Sequence, residues 1–127
     1  MITSTTVTSI ALVTPVKVFT SSTTGAPLGG AVTGQVNAVT TMILCNTGTP
    51  NLTDESVNAV NVSIHLVNSG GTYSDANKIV NSLLIPAGET VFFSDEKIIL
   101  DAGDEIWIGT DDVSGSLISV TVSTLPV

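Results

Sequence analysis

The sequence predicts an all-β sandwich of about seven or eight short antiparallel strands, either jelly-roll-like or immunoglobulin-like. Three observations support this prediction. The apolar residues are mostly Val, Ile and Leu and the polar ones mostly Thr, Ser and Asn, which suit strands and tight turns. Several segments alternate apolar and polar side chains with the period of two of a strand. Turn-forming residues separate these segments, and no segment of useful length has a helical period.

The clearest strand is predicted at residues 60–67, where the alternation is strict. The residues of its apolar face, which we expect to point into the core, are Val60, Val62, Ile64 and Leu66. The residues of its polar face, which we expect to be solvated, are Asn61, Ser63 and His65. The tail repeats the pattern, with Ile118, Val120 and Val122 predicted to face inward.

Other strands are less regular but are bounded by clear turns. Residues 36–45 carry apolar side chains of both parities, such as Leu44 and Cys45, so we expect this strand to be buried on both faces. Turn chemistry follows it at residues 46–51 and recurs between the later segments. The remaining strands are predicted at residues 16–20, 79–85, 90–93, 98–100 and 105–110.

The sequence predicts a chain of two parts, an N-terminal segment at residues 1–30 and a β-sandwich domain at residues 31–127. The first part is either an extended arm or a first strand, followed by a Gly-rich loop. As an arm, it would add a strand to a neighbouring chain, with Val7 and Ile10 as contact residues. As a first strand, it would pair inside its own sandwich.

The charge balance limits the classes of partner. Eleven acidic residues against three lysines and no arginine give a formal net charge of -8. Such a surface repels nucleic acid and anionic membranes, so we expect neither as a partner. The apolar segments are too short to span a bilayer, and the first residues lack the pattern of a secretory signal.

No residue pattern predicts catalysis, a cofactor or a metal site, so we expect a binding or structural module and not an enzyme. His65 is the single imidazole, and no carboxylate lies close to it in sequence. The acidic stretches, such as residues 101–105, lack the spacing of a calcium-binding loop, and we expect their carboxylates to cap turns. Cys45 is expected to be a small buried apolar residue.

Trp107 is the candidate contact residue within the sandwich. Its parity is opposite to that of Ile106 and Ile108, so it lies on the outer face if those two fill the core. It is then either a rim residue covered by a neighbouring loop or an anchor for a partner subunit.

The order of four motifs resembles that of small β-sandwich virion proteins of tailed bacteriophages. The motifs run from Met42-Ile43-Leu44-Cys45-Asn46-Thr47, through the alternating strand at residues 60–67 and the Pro86-Ala87-Gly88-Glu89 turn, to Leu100-Asp101-Ala102-Gly103-Asp104. The resemblance covers about residues 39–127.

The resemblance implies a structural protein of the virion, assembled in the host bacterial cytoplasm. We expect a capsid decoration (cement) protein that binds the outside of the major capsid shell. Its expected partners are other copies of this chain, in a homotrimer, and the major capsid protein. Two alternatives stay open. One is a neck, tail or baseplate component, and the other is an adhesive module that recognises a host glycan or protein.

Overall fold

The computed structural model describes residues 2–7, 15–21, 36–95, 97–111 and 117–127. These residues form two antiparallel sheets and one short 3-10 helix at Asp75–Asn77. The nine strands are β1 (Ile2–Val7), β2 (Val16–Thr20), β3 (Asn37–Asn46), β4 (Val60–Val67), β5 (Lys78–Ile85), β6 (Thr90–Phe93), β7 (Ile98–Leu100), β8 (Glu105–Thr110) and β9 (Ile118–Pro126). The predicted all-β sandwich is confirmed. Within the described ranges, no helix has the length and apolarity needed to cross a membrane.

The strand pairing is nested. Sheet A has the order β1-β9-β3-β6, with β7 also paired to β3, and sheet B has the order β2-β8-β4-β5. The first strand therefore pairs with the last, the second with the next to last, and β4 with β5. This is the pairing of one long hairpin rolled into two sheets, which is a jelly roll. The strand count reaches nine because β6 and β7 pair with successive parts of β3.

The core lies between the two sheets and follows the predicted alternation. From sheet A, Met42, Leu44 and Val120 are fully buried, and from sheet B, Ile64 and Ile108 are fully buried. Burying this apolar surface supplies the main free energy of folding, about 25 cal/mol for each Å² removed from water. The predicted inward positions of β4 and β9 are confirmed, except that Leu66 is only half-buried.

The prediction that β3 is buried on both faces is wrong for its outer face. Met42 and Leu44 point inward and are buried, whereas Ile43 and Cys45 are half-buried. Sheet B covers only the inner side of sheet A, and the described residues place no second layer over the outer side. Cys45 is a half-buried free thiol and not the fully buried residue that was expected.

The N-terminal strands pair inside the chain. β1 lies antiparallel to β9 over its whole length, and β2 pairs with β8. Val18 and Phe19 of β2 are buried members of the core. The expectation of an arm outside the domain core is therefore wrong for β2, and β1 takes the alternative position of a strand in its own sandwich.

Candidate functional site

One end of the sandwich is organised around Asn46, the last residue of β3. Its side chain is fully buried, and Nδ2 donates hydrogen bonds to the carbonyl oxygens of Asn58 (2.8 Å) and Ile85 (2.9 Å). Its Oδ1 accepts a hydrogen bond of 2.8 Å from the Gly48 amide. These bonds tie the loop at residues 47–59 to the ends of two strands. The Cys-Asn-Thr motif thus has a structural role, because buried backbone groups need such partners.

Short-range side-chain hydrogen bonds fix the shape of the loop at residues 47–59. Asn51 Oδ1 accepts from the amides of Thr53 (2.9 Å) and Asp54 (3.1 Å). Asp54 Oδ1 accepts from the Ser56 hydroxyl (2.6 Å) and the Ser56 amide (3.0 Å). The two bonds from Ser56, the hydroxyl first, lower the pKa of the Asp54 carboxyl below its ordinary value. The loop is therefore ordered by its own polar side chains.

Leu52 lies in this ordered loop with 99% of its surface exposed. Two depressions lie at the same end of the sandwich and share Glu55 and Pro86. The first, of about 270 Å³, is lined by Pro50, Asn51, Leu52, Glu55, Val57, Pro86, Ala87 and Glu89. The second, of about 340 Å³, is lined by Glu55, Ser56, Ala59, Asn61, Leu84 and Pro86. We call the residues that line the two depressions the loop-end surface.

The loop-end surface combines apolar and acidic side chains. Leu52, Val57 and Leu84 are its exposed large apolar residues, and its charged residues are Glu55 and Glu89. No lysine is among the residues that line the two depressions. The surface suits a partner that offers apolar side chains flanked by positive charge.

A second polar and aromatic cluster lies on the outer face of sheet B. The rings of Tyr73 and Trp107 pack with centroids 5.5 Å apart, and Tyr73 meets the His65 ring edge-on at 5.9 Å. Lys17 Nζ lies 5.8 Å from the centroid of a Trp107 ring and forms a salt bridge of 2.6 Å with Glu105. This cluster closes the outer face of β4 and β8 with protein side chains.

The predicted solvation of His65 and Ser63 is wrong. His65 is 3% exposed and its Nδ1 lies 3.0 Å from both the Ser74 carbonyl oxygen and Asn77 Oδ1. Since both partners are acceptors, Nδ1 carries the proton and donates it. Ser63 is also buried, and its hydroxyl accepts a hydrogen bond from the Ser82 amide (3.1 Å). The polar face of β4 is thus covered by neighbouring polar groups.

The structure places the predicted contact residues in different parts of the fold. Trp107 is half-buried beneath Tyr73, as expected of a rim residue covered by a loop, and its use as a partner anchor stays a prediction. Val7 ends β1 and is the Cα partner of Ile118. Ile10 lies outside the described residues. Val7 belongs to sheet A and Trp107 to sheet B.

The acidic turn after β7 stabilises the backbone around it. Asp104 Oδ2 accepts from the Asp101 amide (3.0 Å), and its Oδ1 accepts from the Ser69 amide (3.0 Å). The turn also holds the end of β2, because the Gly103 amide donates to the carbonyl oxygen of Ser21 (3.0 Å). The prediction that carboxylates here cap turns is confirmed. Within the part of the chain that the structure describes, no three His, Cys, Asp or Glu side chains gather as metal ligands.

Sequence reasoning missed the loop-end surface. The turn residues at 46–51 indicated a loop, but the exposure of Leu52 depends on how Asn46 and Asn51 fold that loop. Comparisons with protein-family models, with curated proteins and with solved structures find no match to this chain.

Proposed function

We propose that this chain is a structural protein of a bacteriophage virion, a capsid decoration protein that binds the outside of the major capsid shell. The order of its four motifs supports the proposal, as does the jelly-roll topology, which recurs in viral capsid domains. The same topology serves lectins and cupins, so the fold by itself does not select among these functions.

The observation that supports a docking function is the exposure of Leu52. An apolar side chain that is 99% exposed gains free energy when a partner covers it. The hydrogen bonds of Asn51 and Asp54 order the loop before binding, so little conformational entropy is lost when it docks. An ordered loop that holds an exposed apolar side chain beside a depression offers apolar surface for a partner to bury.

The charges at the loop-end surface indicate which side chains the partner would carry at the contact. Glu55 and Glu89 would face lysine or arginine side chains around an apolar pocket of a capsid subunit. Binding at the seams between capsid subunits would stabilise the shell by linkage, because the bound protein favours the assembled state. The mechanism needs no chemical step.

The copy number in purified virions of the phage that encodes this chain tests whether the protein lies on the head of the virion. We expect hundreds of copies per particle, measured by quantitative mass spectrometry. A copy number near a small multiple of three or six would overturn the head location and favour the neck or tail. Absence of the chain from the virion, together with binding on a glycan array, would favour an adhesive module instead.

Binding of the purified protein to particles that lack it tests whether the loop-end surface contacts the capsid. We expect Leu52→Ser to lower cosedimentation with such particles at least tenfold, because the docking side chain is lost. Ile79→Ser is the matched control, since Ile79 is also an exposed apolar residue but lies on β5 outside the depressions. Equal binding by both variants would contradict the role of Leu52.

A further inference from the structure

Sheet A carries no charge. The chain has eleven acidic residues and three lysines, yet none lies in the five strands of this sheet. Lys17, Lys78 and Glu105 all lie in sheet B, and the other charged residues that the structure describes lie between strands. A solvated sheet face ordinarily carries charged side chains that keep it soluble and block association.

The outer face of sheet A also carries exposed apolar side chains. Phe92, Ile99 and Leu125 are 63%, 56% and 58% exposed. The register places Ile99 and Leu125 on either side of Ala38, and it places Phe92 beside Ile43. Ile99, Ala38 and Leu125 thus form one apolar row across three strands. Phe92 and Ile43 form a second apolar patch on β6 and β3, and threonine and serine lie between the two. By the outer face of sheet A we mean the side of this sheet that carries Phe92, Ile99 and Leu125.

We propose that the outer face of sheet A packs against the same face of a second copy of this chain. Two chains with a formal charge of -8 each repel one another wherever their charged surfaces approach. A charge-free face lets two copies meet with their charges kept at the rim. A basic partner would instead call for acidic residues on this face, and an acidic partner for lysines. Packing of one face on its own image makes a two-fold pair.

The size of the face fits this contact. Sheet A is four strands wide along its main path, and its longest strands have nine and ten residues. The five strands have 32 residues together, so with about 4.8 Å between strands and ~3.4 Å per residue the flat area is roughly 500 Å². A specific interface buries about 800 Å² per partner, and side chains add area to a flat projection. The face therefore suits a dimer that dissociates on dilution.

Light scattering coupled to gel filtration tests the proposal on the purified chain. We expect the wild type to have the mass of two copies at about 100 µM and to dissociate on dilution. Ile99→Lys and Phe92→Lys should give monomers, with at least a tenfold weaker association. Lysine lowers the net negative charge, so a loss of association cannot come from increased repulsion between whole chains.

Ile79→Lys is the matched control, because Ile79 is also an exposed apolar residue of a strand (47% exposed) but lies in sheet B, outside the loop-end surface. We expect it to dimerise like the wild type. Added salt should strengthen dimerisation, since it screens the repulsion between acidic chains and breaks no ion pair on this face. A wild type that is monomeric at every concentration, or an oligomer unaffected by Ile99→Lys, would overturn the proposal. The inference does not rest on the proposed function, because the test uses no virion.

Discussion

Tyr73 packs on Trp107 with ring centroids 5.5 Å apart, although the two residues lie in different structural elements. Trp107 is in β8, and Tyr73 is in the segment that connects β4 to the 3-10 helix. The contact brings this segment over the outer face of sheet B, where His65 is the cross-strand neighbour of Trp107. A face with the alternation of a solvated strand is therefore covered by its own connecting loop.

His65→Ala is expected to destabilise the protein by about 1–3 kcal/mol. The change leaves the Ser74 carbonyl without the hydrogen bond from Nδ1 and removes a buried ring that contacts Tyr73. Thr90→Ala, at an exposed strand position, is the control and should change stability by less than about 0.5 kcal/mol. Urea unfolding measures both variants. Equal stability of the two would show that the loop does not protect His65.

Ile64→Asp is expected to prevent folding at ordinary temperature. Ile64 is fully buried between the sheets, and an unpaired carboxylate there costs several kcal/mol, which is comparable to the whole stability of a domain. Ile79→Asp makes the same change on β5 at a side chain that is 47% exposed, and we expect it to fold. Circular dichroism and thermal melting compare the two. A cooperative melt of Ile64→Asp near that of the wild type would contradict the assigned core.

Much of the fold could be predicted because alternation and turn chemistry are local signals. The strand at residues 60–67 matches β4, and the segments 90–93 and 105–110 match β6 and β8. Each is bounded by a turn whose residues fix the backbone, such as Gly88 with φ of +79°, a conformation that side chains with a Cβ rarely adopt. These signals need no knowledge of the rest of the chain.

What could not be predicted depends on non-local packing. The period of two separates the faces of β4 but does not say whether a loop covers the outer one, so His65 was expected to be solvated. The charge-free face of sheet A is assembled from strands far apart in sequence, such as β1 and β9. The exposure of Leu52 depends on the buried side chain of Asn46.

Asn46→Ala is expected to lower the free energy of unfolding by about 3 kcal/mol or more. It removes the hydrogen-bond partner of the buried Ile85 carbonyl, of the partly buried Asn58 carbonyl and of the Gly48 amide, each worth about 1 kcal/mol or more when left unsatisfied. Asn81→Ala, at an exposed position of β5, is the control and should be nearly neutral. Thermal unfolding compares the variants. A loss no larger than in Asn81→Ala would contradict the role of Asn46 in holding the loop end.

The Asp54 carboxyl is expected to titrate below its ordinary pKa, and Ser56→Ala should raise that pKa because the hydroxyl bond is its main cause. A depressed pKa in the folded state adds stability at pH values above the unfolded pKa. That contribution is lost as the pH falls through the folded pKa. Carboxyl carbon shifts in NMR follow the titration. Asp75 is the internal control, because Lys78 lowers its pKa and Ser56 is not among the causes. An unchanged Asp54 pKa in Ser56→Ala would contradict the loop geometry.

A truncated chain that begins at Gly25 is expected to be unfolded, because the truncation removes both β1 and β2. β2 supplies Phe19 to the core and is the antiparallel partner of β8. Phe19→Ala alone should cost about 3–5 kcal/mol, as a large buried side chain leaves a cavity. Thr20→Ala, at the adjacent exposed position, should cost less than about 0.5 kcal/mol. Circular dichroism and melting of the three variants separate a strand that belongs to the core from an arm that serves another chain. If the truncated chain melts cooperatively and has only lost self-association, the arm interpretation holds and the assignment of β2 to the core is wrong.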